Sequence, residues 1–205
     1  QLSTILKKLK SIREKRPQPH TDHKIITEWN GLMISALCLG YRVTAEVKYL
    51  QAASGAATYL KTHLYKTGKL HRRAVDEEIK HDGVVSDYAH LIAGLMDLYQ
   101  ADWNSQWLSF ALELQAAQDR LFWDPKRGGY FDTANHAELP FERSKDYDDN
   151  ALLNANGVST INLLRLHQWY LKKEYKEKAS QIMASTSLHL TKQPFALATL
   201  ARAAV

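Results

Sequence analysis

Three segments of this chain carry the same apolar pattern, and that repetition restricts the fold more than any other feature. TEWNGLMISAL, VSDYAHLIAGL and NANGVSTINLL align so that Trp29, Asp87 and Asn156 coincide, as do Ile34, Ile92 and Ile161, and Leu37, Leu95 and Leu164, at offsets of 58 and 69 residues. Each is followed by a second helical segment, YLQAASGAATYL, WLSFALELQAAQ or YKEKASQIM, with an aromatic four positions before an alanine: Tyr49 with Ala53, Trp107 with Ala111, Tyr175 with Ala179. An aromatic and a small residue at i and i+4 share one helix face, and the small one lets a neighbouring helix approach. The repeat unit is therefore a helical hairpin, which needs neighbours to cover its apolar face.

The first helix of each pair is apolar over a wide arc, as in Leu91, Ile92, Leu95, Met96 and Tyr99, whereas the second carries Gln51, Lys61, Glu113, Lys176 and Glu177 outward. That contrast predicts inner and outer layers. Extended pieces, GKLHRRA from Gly68 and GGYFDTA from Gly128, follow the second helices and lead into the next inner helix. Tetratricopeptide-like arrays repeat at about 34 residues with short turns. The longer loops here, with their Trp, Tyr, Arg and Asp, favour an all-α fold, a partial (α/α)6 toroid with a lined central cavity. About three hairpins, flanking helices and short β-hairpin loops are expected, in one domain over residues 1–205.

The chain opens on Gln1 and closes on FALATLARAAV, an apolar helical pattern with no stop signal, so a longer protein truncated at both ends is expected. Its net charge of +5 comes largely from KKLKSIREKRP. Leu6, Leu9, Ile12 and Arg13 there follow helical spacing, which reads as a solvated amphipathic helix; with no aromatic interleaving, no nucleic-acid partner is expected. The single cysteine, Cys38, excludes an internal disulfide and fits a reducing, cytoplasmic setting. No apolar run reaches the roughly 20 residues that span a bilayer, and no membrane partner is expected.

From REKRPQPHTDHKIITEWNGLMISAL onward the sequence resembles the large thioredoxin-like proteins of the spermatogenesis-associated protein 20 type. SDYAHLIAGLMDLYQ, LFWDPKRGGYFDTA and ERSKDYDDNALLNANGVSTINLLRL continue the likeness in order, over residues 13–205. The resemblance implies a six-hairpin glycosidase-like toroid that normally follows an N-terminal thioredoxin-like domain, which would be its partner in the full-length chain. The cysteine motif of such proteins lies in that domain, so no thioredoxin activity falls to these residues. Two departures stand out. Asp22, His23 and Lys24 replace two acids before a lysine. The usual D-G-A-x-P-S-x-N reads Asp149, Asn150, Ala151, Leu152, Leu153, Asn154, Ala155, Asn156, so the loop backbone differs where glycine and proline are missing.

The aligned starts of the inner helices carry the candidate chemistry, because free amides at a helix N-terminus favour anions and hydroxyl acceptors. Trp29 is either a sugar-stacking platform or a packed core tryptophan, and Asn30 either a ligand or a cap. Asp87, with Tyr88 beside it, is either a lumen carboxylate or, like Ser86, a cap. Asp149 sits in the acidic run DYDD just after Arg143 and Lys145, either a carboxylate kept ionised by those charges as a base or substrate clamp or part of a surface loop salt-bridged to itself, and Asn156 caps or binds. Trp123, Tyr130 and Phe131 form either an aromatic rim or a plug, and Arg72 and Arg73 could meet an anion.

The expected ligand is a small carbohydrate-like molecule, with Trp29, Asn30, Arg72, Tyr88, Tyr130, Arg143, Lys145 and Asn156 as binding residues. No cofactor is expected. Asp87 and Asp149 are the carboxylate pair to test for glycoside hydrolysis, which needs separations of about 5 Å for retention or about 6.5–9.5 Å for inversion. The alternatives are an epimerase-like enzyme in which His90 joins Asp149, or a non-catalytic module for the thioredoxin-like domain. The only close histidine cluster, His20 and His23 with Asp22, lacks a fourth ligand, so no metal site is expected.

Overall fold

Each of the repeated segments forms a hairpin in the computed structural model, which describes residues 2–76, 78–138 and 142–204. The inner helices are α2 (Thr27–Thr44), α4 (Val85–Asp102) and α6 (Ala155–Tyr170), and the outer ones are α3 (Val47–Tyr59), α5 (Ser105–Phe122) and α7 (Lys173–Lys192). A π-helical turn at Leu60–Leu64 extends α3. After α7, a 3-10 turn at Pro194–Leu197 leads into α8 (Ala198–Ala203), which packs on α6 as the next inner helix would. The arrangement is a partial (α/α)6 toroid.

The repeat extends to how the inner helices end. Ala45, Trp103 and Leu171 follow α2, α4 and α6 in the left-handed conformation, at φ 57°, 58° and 55°, and each returns its amide to a carbonyl one turn back, on Tyr41, Tyr99 and His167. The alanines of the aromatic–alanine pairs, Ala53, Ala111 and Ala179, have no exposed surface, so each outer helix is closely covered at its small residue.

The inner helices α2 and α4 approach closely because both contact residues are glycine. A Cβ on Gly31 would lie 2.6 Å from the His90 carbonyl carbon, and one on Gly94 would lie 2.6 Å from the Gly31 carbonyl oxygen. That approach buries Ile34, Leu91, Ile92 and Leu95 completely. The opposite side of α2 is open: Trp29, Met33 and Val43 stand more than half exposed.

The first extended piece is a strand, β3 (Lys69–Val75), and it takes three partners. β1 (Ile25–Ile26) pairs antiparallel with its second half, and β4 (Glu78–Asp82) completes a hairpin, while β2 (Tyr65–Lys66) pairs with its start. The second piece, GGYFDTA, differs from expectation. It contributes one bridge, between Trp123 and Tyr130, because Tyr130 hydrogen-bonds to a side chain in place of a strand neighbour. The basic N-terminal segment is α1 (Leu2–Glu14), every residue of which is exposed. No helix among the described residues is long and apolar enough to cross a membrane.

Candidate functional site

Four ionisable side chains meet at the N-terminal ends of α2 and α4. Asp87 is fully buried, and its oxygens accept from the amides of Glu28 (3.1 Å) and Val84 (3.0 Å) and from Arg72 Nη1 (3.0 Å). It therefore serves as a cap, but from the third position of α4 rather than from the N-cap, which is Val84. Burial pushes its carboxyl up to about 6, with Arg72 opposing.

Glu28 is the member of this group that sequence reasoning missed. Its side chain is 7% exposed, yet its oxygens have no hydrogen-bond donor within reach among the described residues: Oε2 lies 3.7 Å from Arg72 Nη2 and Oε1 3.6 Å from His90 Nδ1. Glu28 lines a cavity of about 410 Å³ together with Ser86, Asp132, Asp146, Asp148 and Asn150. The only signal in the sequence is an acid in the first turn of an inner helix, which reads equally well as a dipole-favoured surface residue. His90 also reaches the Ser86 carbonyl (3.0 Å), and its Nε2 is buried without a partner among the described residues.

An extended strap, residues 143–149, closes the far side of this cavity, and its side chains alternate. Asp146 and Asp148 line the cavity, Asp148 with its buried Oδ1 3.4 Å from His189 Nε2, while Arg143, Lys145 and Tyr147 line a separate cleft on the outer flank. Asp132 fastens the strap, accepting from Asp146 N (3.0 Å) and Ser144 Oγ (2.7 Å). The fully buried Asn156 fastens it again. Its Oδ1 accepts from Tyr130 N (2.7 Å), and its Nδ2 donates to the carbonyls of Tyr130 (3.0 Å) and Asp146 (3.1 Å). Neither Asn156 nor Asn30 is an N-cap. Asn154 caps α6 by accepting from Gly157 N, and Asn30 lies inside α2, donating to the Ile26 carbonyl at 2.9 Å.

The cations upstream of Asp149 do not face it. Lys145 pairs with Asp124 (2.7 Å), and Arg143 donates to the carbonyls of Thr133 and Leu121. Asp149 is instead bound by Asn154, through its amide (2.9 Å) and side chain (2.8 Å), and by Thr199 N (2.7 Å) at the start of α8. Burial alone would raise its carboxyl, but these donors hold it below the ordinary aspartate range. All four oxygens of Asp87 and Asp149 thus accept from donors close to helix starts.

The aromatic residues divide. Trp29 is 56% exposed beside Glu28, which excludes the packed-core alternative. Tyr130 is fully buried and donates to Asp119 at 2.6 Å, with Trp123 edge-on to its ring, so this pair plugs the hairpin. Tyr88 is also buried, its hydroxyl accepting from Leu70 N at 3.2 Å. Among the described residues no group of three or more histidine, cysteine or acidic side chains has the geometry to hold a metal.

With this geometry in place, comparison with known proteins gives the chain its relatives. No protein-family model matches it. It is 37% identical to spermatogenesis-associated protein 20 of Mus musculus over 98% of this chain, and it spans only 27% of that relative's length. Among solved structures, cellobiose 2-epimerase from Bacillus thermoamylovorans superposes with a TM-score of 0.66 at 13% identity, over 81% of this chain and 45% of that one. An inactive double-aspartate variant of a family 76 α-1,6-mannanase from Salegentibacter, in complex with α-1,6-mannotriose, gives 0.62 at 15% identity, over 79% and 47%. At those identities the structural likeness establishes the six-hairpin glycosidase-like fold alone.

Proposed function

From the homology of this chain to one region of spermatogenesis-associated protein 20, on a six-hairpin glycosidase-like fold, we propose that the cavity beside Glu28 binds a carbohydrate-like ligand. The observation that carries the reading is Glu28 itself, a residue of the cavity wall whose buried carboxylate accepts no hydrogen bond among the described residues. Sugar hydroxyls are the donors such a group lacks, and Asp146 on the opposite wall takes a further hydroxyl. Trp29, next in the chain to Glu28 but outside the cavity lining, offers an exposed face for the pyranose ring of a ligand that extends beyond the cavity. Arg72, Asp87 and His90 hold Glu28 in place, and Asn156 fixes the strap. The mannanase found with mannotriose lends the fold a precedent for oligosaccharides.

Titration of the chain with mannose and glucose oligosaccharides, followed by thermal shift and calorimetry, tests this. Binding weakened about tenfold or more by Glu28→Gln, and again by Trp29→Ala, is the expected result, since a hydrogen bond to a charged group is worth about 1.5–3 kcal/mol. No melting-point rise with any sugar, or equal rises in both variants, sinks the reading.

Hydrolysis by Asp87 and Asp149 is a second reading, and the geometry weighs against it: neither lines the cavity beside Glu28, and every oxygen of both already accepts from a donor. A carboxyl at about 6 suits a general acid, and one held low stays ionised as its partner. Ligand entry would have to displace Arg72 from Asp87. Turnover of a mannoside that disappears in Asp149→Asn supports this version, and binding without turnover rejects it. In a longer chain, a thioredoxin-like domain is the proposed partner.

A further inference from the structure

We propose that the outer face of the strap is a binding site for a phosphate monoester group, independent of the sugar reading on its inner face. The cleft there encloses about 530 Å³ and is lined by four cations, Lys126, Arg127, Arg143 and Lys145, against two carboxylates, Asp124 and Glu142. Among the described residues only Lys145 forms an ion pair in it, with Asp124 at 2.7 Å. Lys126, Arg127 and Arg143 have no carboxylate within ion-pair distance among the described residues, and so the cleft carries uncompensated positive charge.

The arrangement of Arg143 is that of a donor set in advance. Nε and Nη2 donate to the carbonyls of Thr133 and Leu121 at 2.6–3.0 Å, and the guanidinium lies 4.1 Å from the centre of the Phe131 ring. Nη1 makes no hydrogen bond among the described residues, on a side chain whose rotamer freedom is already lost. A rigid guanidinium with free N–H groups loses little entropy on gripping an oxyanion. Lys126 and Arg127 reach the same cleft from the turn after Asp124, whose carboxylate accepts from both their amides, at 2.8 and 3.2 Å. A tetrahedral dianion with three oxygens can meet cations arriving from the turn and from the strap together; a flat, singly charged carboxylate meets fewer of them.

Lys126 and Arg127 are exposed residues of a turn, so Lys126→Glu with Arg127→Glu reverses their charge without touching the buried contacts of Arg143. Calorimetric titration of the whole chain with inorganic phosphate, at neutral pH and constant low ionic strength, is the test, with acetate as comparator. The expected result is one saturable site in the millimolar range or tighter. Phosphate binding should fall about tenfold or more in the double variant, and acetate should bind at least about tenfold more weakly than phosphate. Absence of saturation, unchanged affinity in the double variant, or parity of acetate with phosphate overturns the proposal.

Discussion

Arg72 is the one arginine that Asp87 and Glu28 share: its Nη1 stands 3.0 Å from Asp87 Oδ2 and its Nη2 3.7 Å from Glu28 Oε2. Both carboxylates are buried and the arginine is about one-third exposed. Burial pushes the Asp87 carboxyl up, the single arginine and two backbone amides only partly oppose it, and the nearby Glu28 charge adds slightly to the rise.

Folding should therefore take up a proton at Asp87. In the unfolded chain its carboxyl titrates near about 3.9, against about 6 when folded. Its contribution to stability is fully present below about pH 4 and is lost as pH rises through about 6, an effect on the order of 3 kcal/mol. Asp124 acts oppositely: Lys145 and two backbone amides hold it at about 2 against the effect of burial, so its contribution is lost only as pH falls below about 4. Denaturant unfolding of wild type and Asp87→Asn at intervals across pH 4–7 checks this, with the fall toward neutrality expected to flatten in the variant.

Arg72→Met should destabilise the chain by about 2–4 kcal/mol at pH 7, because it leaves two buried carboxylates without their arginine. The loss should shrink near pH 5, where Asp87 is protonated and no longer needs a counter-charge. An equal loss at both pH values would show that Arg72 matters through packing alone.

Gly94→Ala tests the contact between α2 and α4. The new methyl carbon would sit 2.6 Å from the Gly31 carbonyl oxygen and 3.2 Å from Ile34 Cβ, so the two inner helices must separate. A loss of about 1–3 kcal/mol is expected from such overpacking. A melting point within a degree or two of wild type would mean that the helices slide apart freely.

The parts of this fold legible in the sequence are those that rest on neighbours three or four positions away. Ala53, Ala111 and Ala179 announce their contacts through helical spacing, and all three prove fully buried. What the sequence does not carry is the direction of a hydrogen bond across the fold. Asp149 stands close in sequence to Arg143 and Lys145, yet it binds Thr199, fifty positions away, while both cations turn to the other side of the strap. The alternation of Arg143, Lys145 and Tyr147 with Ser144, Asp146 and Asp148 is a period-two pattern in plain view. Charge density drew attention to the stretch, but charge density says nothing about sidedness. Glu28 stays hidden for a related reason: its meaning comes from Arg72 and His90, on elements that only the folded chain brings to α2.

Leu171→Gly should stabilise the protein. Leucine at φ 55° pays the crowding of Cβ against its own backbone, and its side chain is 77% exposed, so little packing is given up. Relief of roughly 1–2 kcal/mol is partly offset by the greater freedom of glycine in the unfolded chain, leaving a net gain of roughly 0.5–1 kcal/mol. Unfolding midpoints in urea decide the sign.

Asn156→Ala reaches both faces of the strap at once. The substitution removes an acceptor for Tyr130 N and a donor to the carbonyls of Tyr130 and Asp146, leaving those backbone groups without their side-chain partner in a buried setting. A loss of about 2–4 kcal/mol follows if the strap stays in place with those groups unpaired. If the strap lifts to let water in, the global loss is smaller, and amide exchange accelerates locally from Asp146 to Asp149. The second outcome carries the functional consequence, because Asp146 and Asp148 line one cavity while Lys145 and Tyr147 line the other. Sugar and phosphate binding should then weaken together in Asn156→Ala. Loss of one alone would mean that the two faces are held independently, with Asp132 and its bonds to Asp146 N and Ser144 Oγ as the remaining anchor of the inner face.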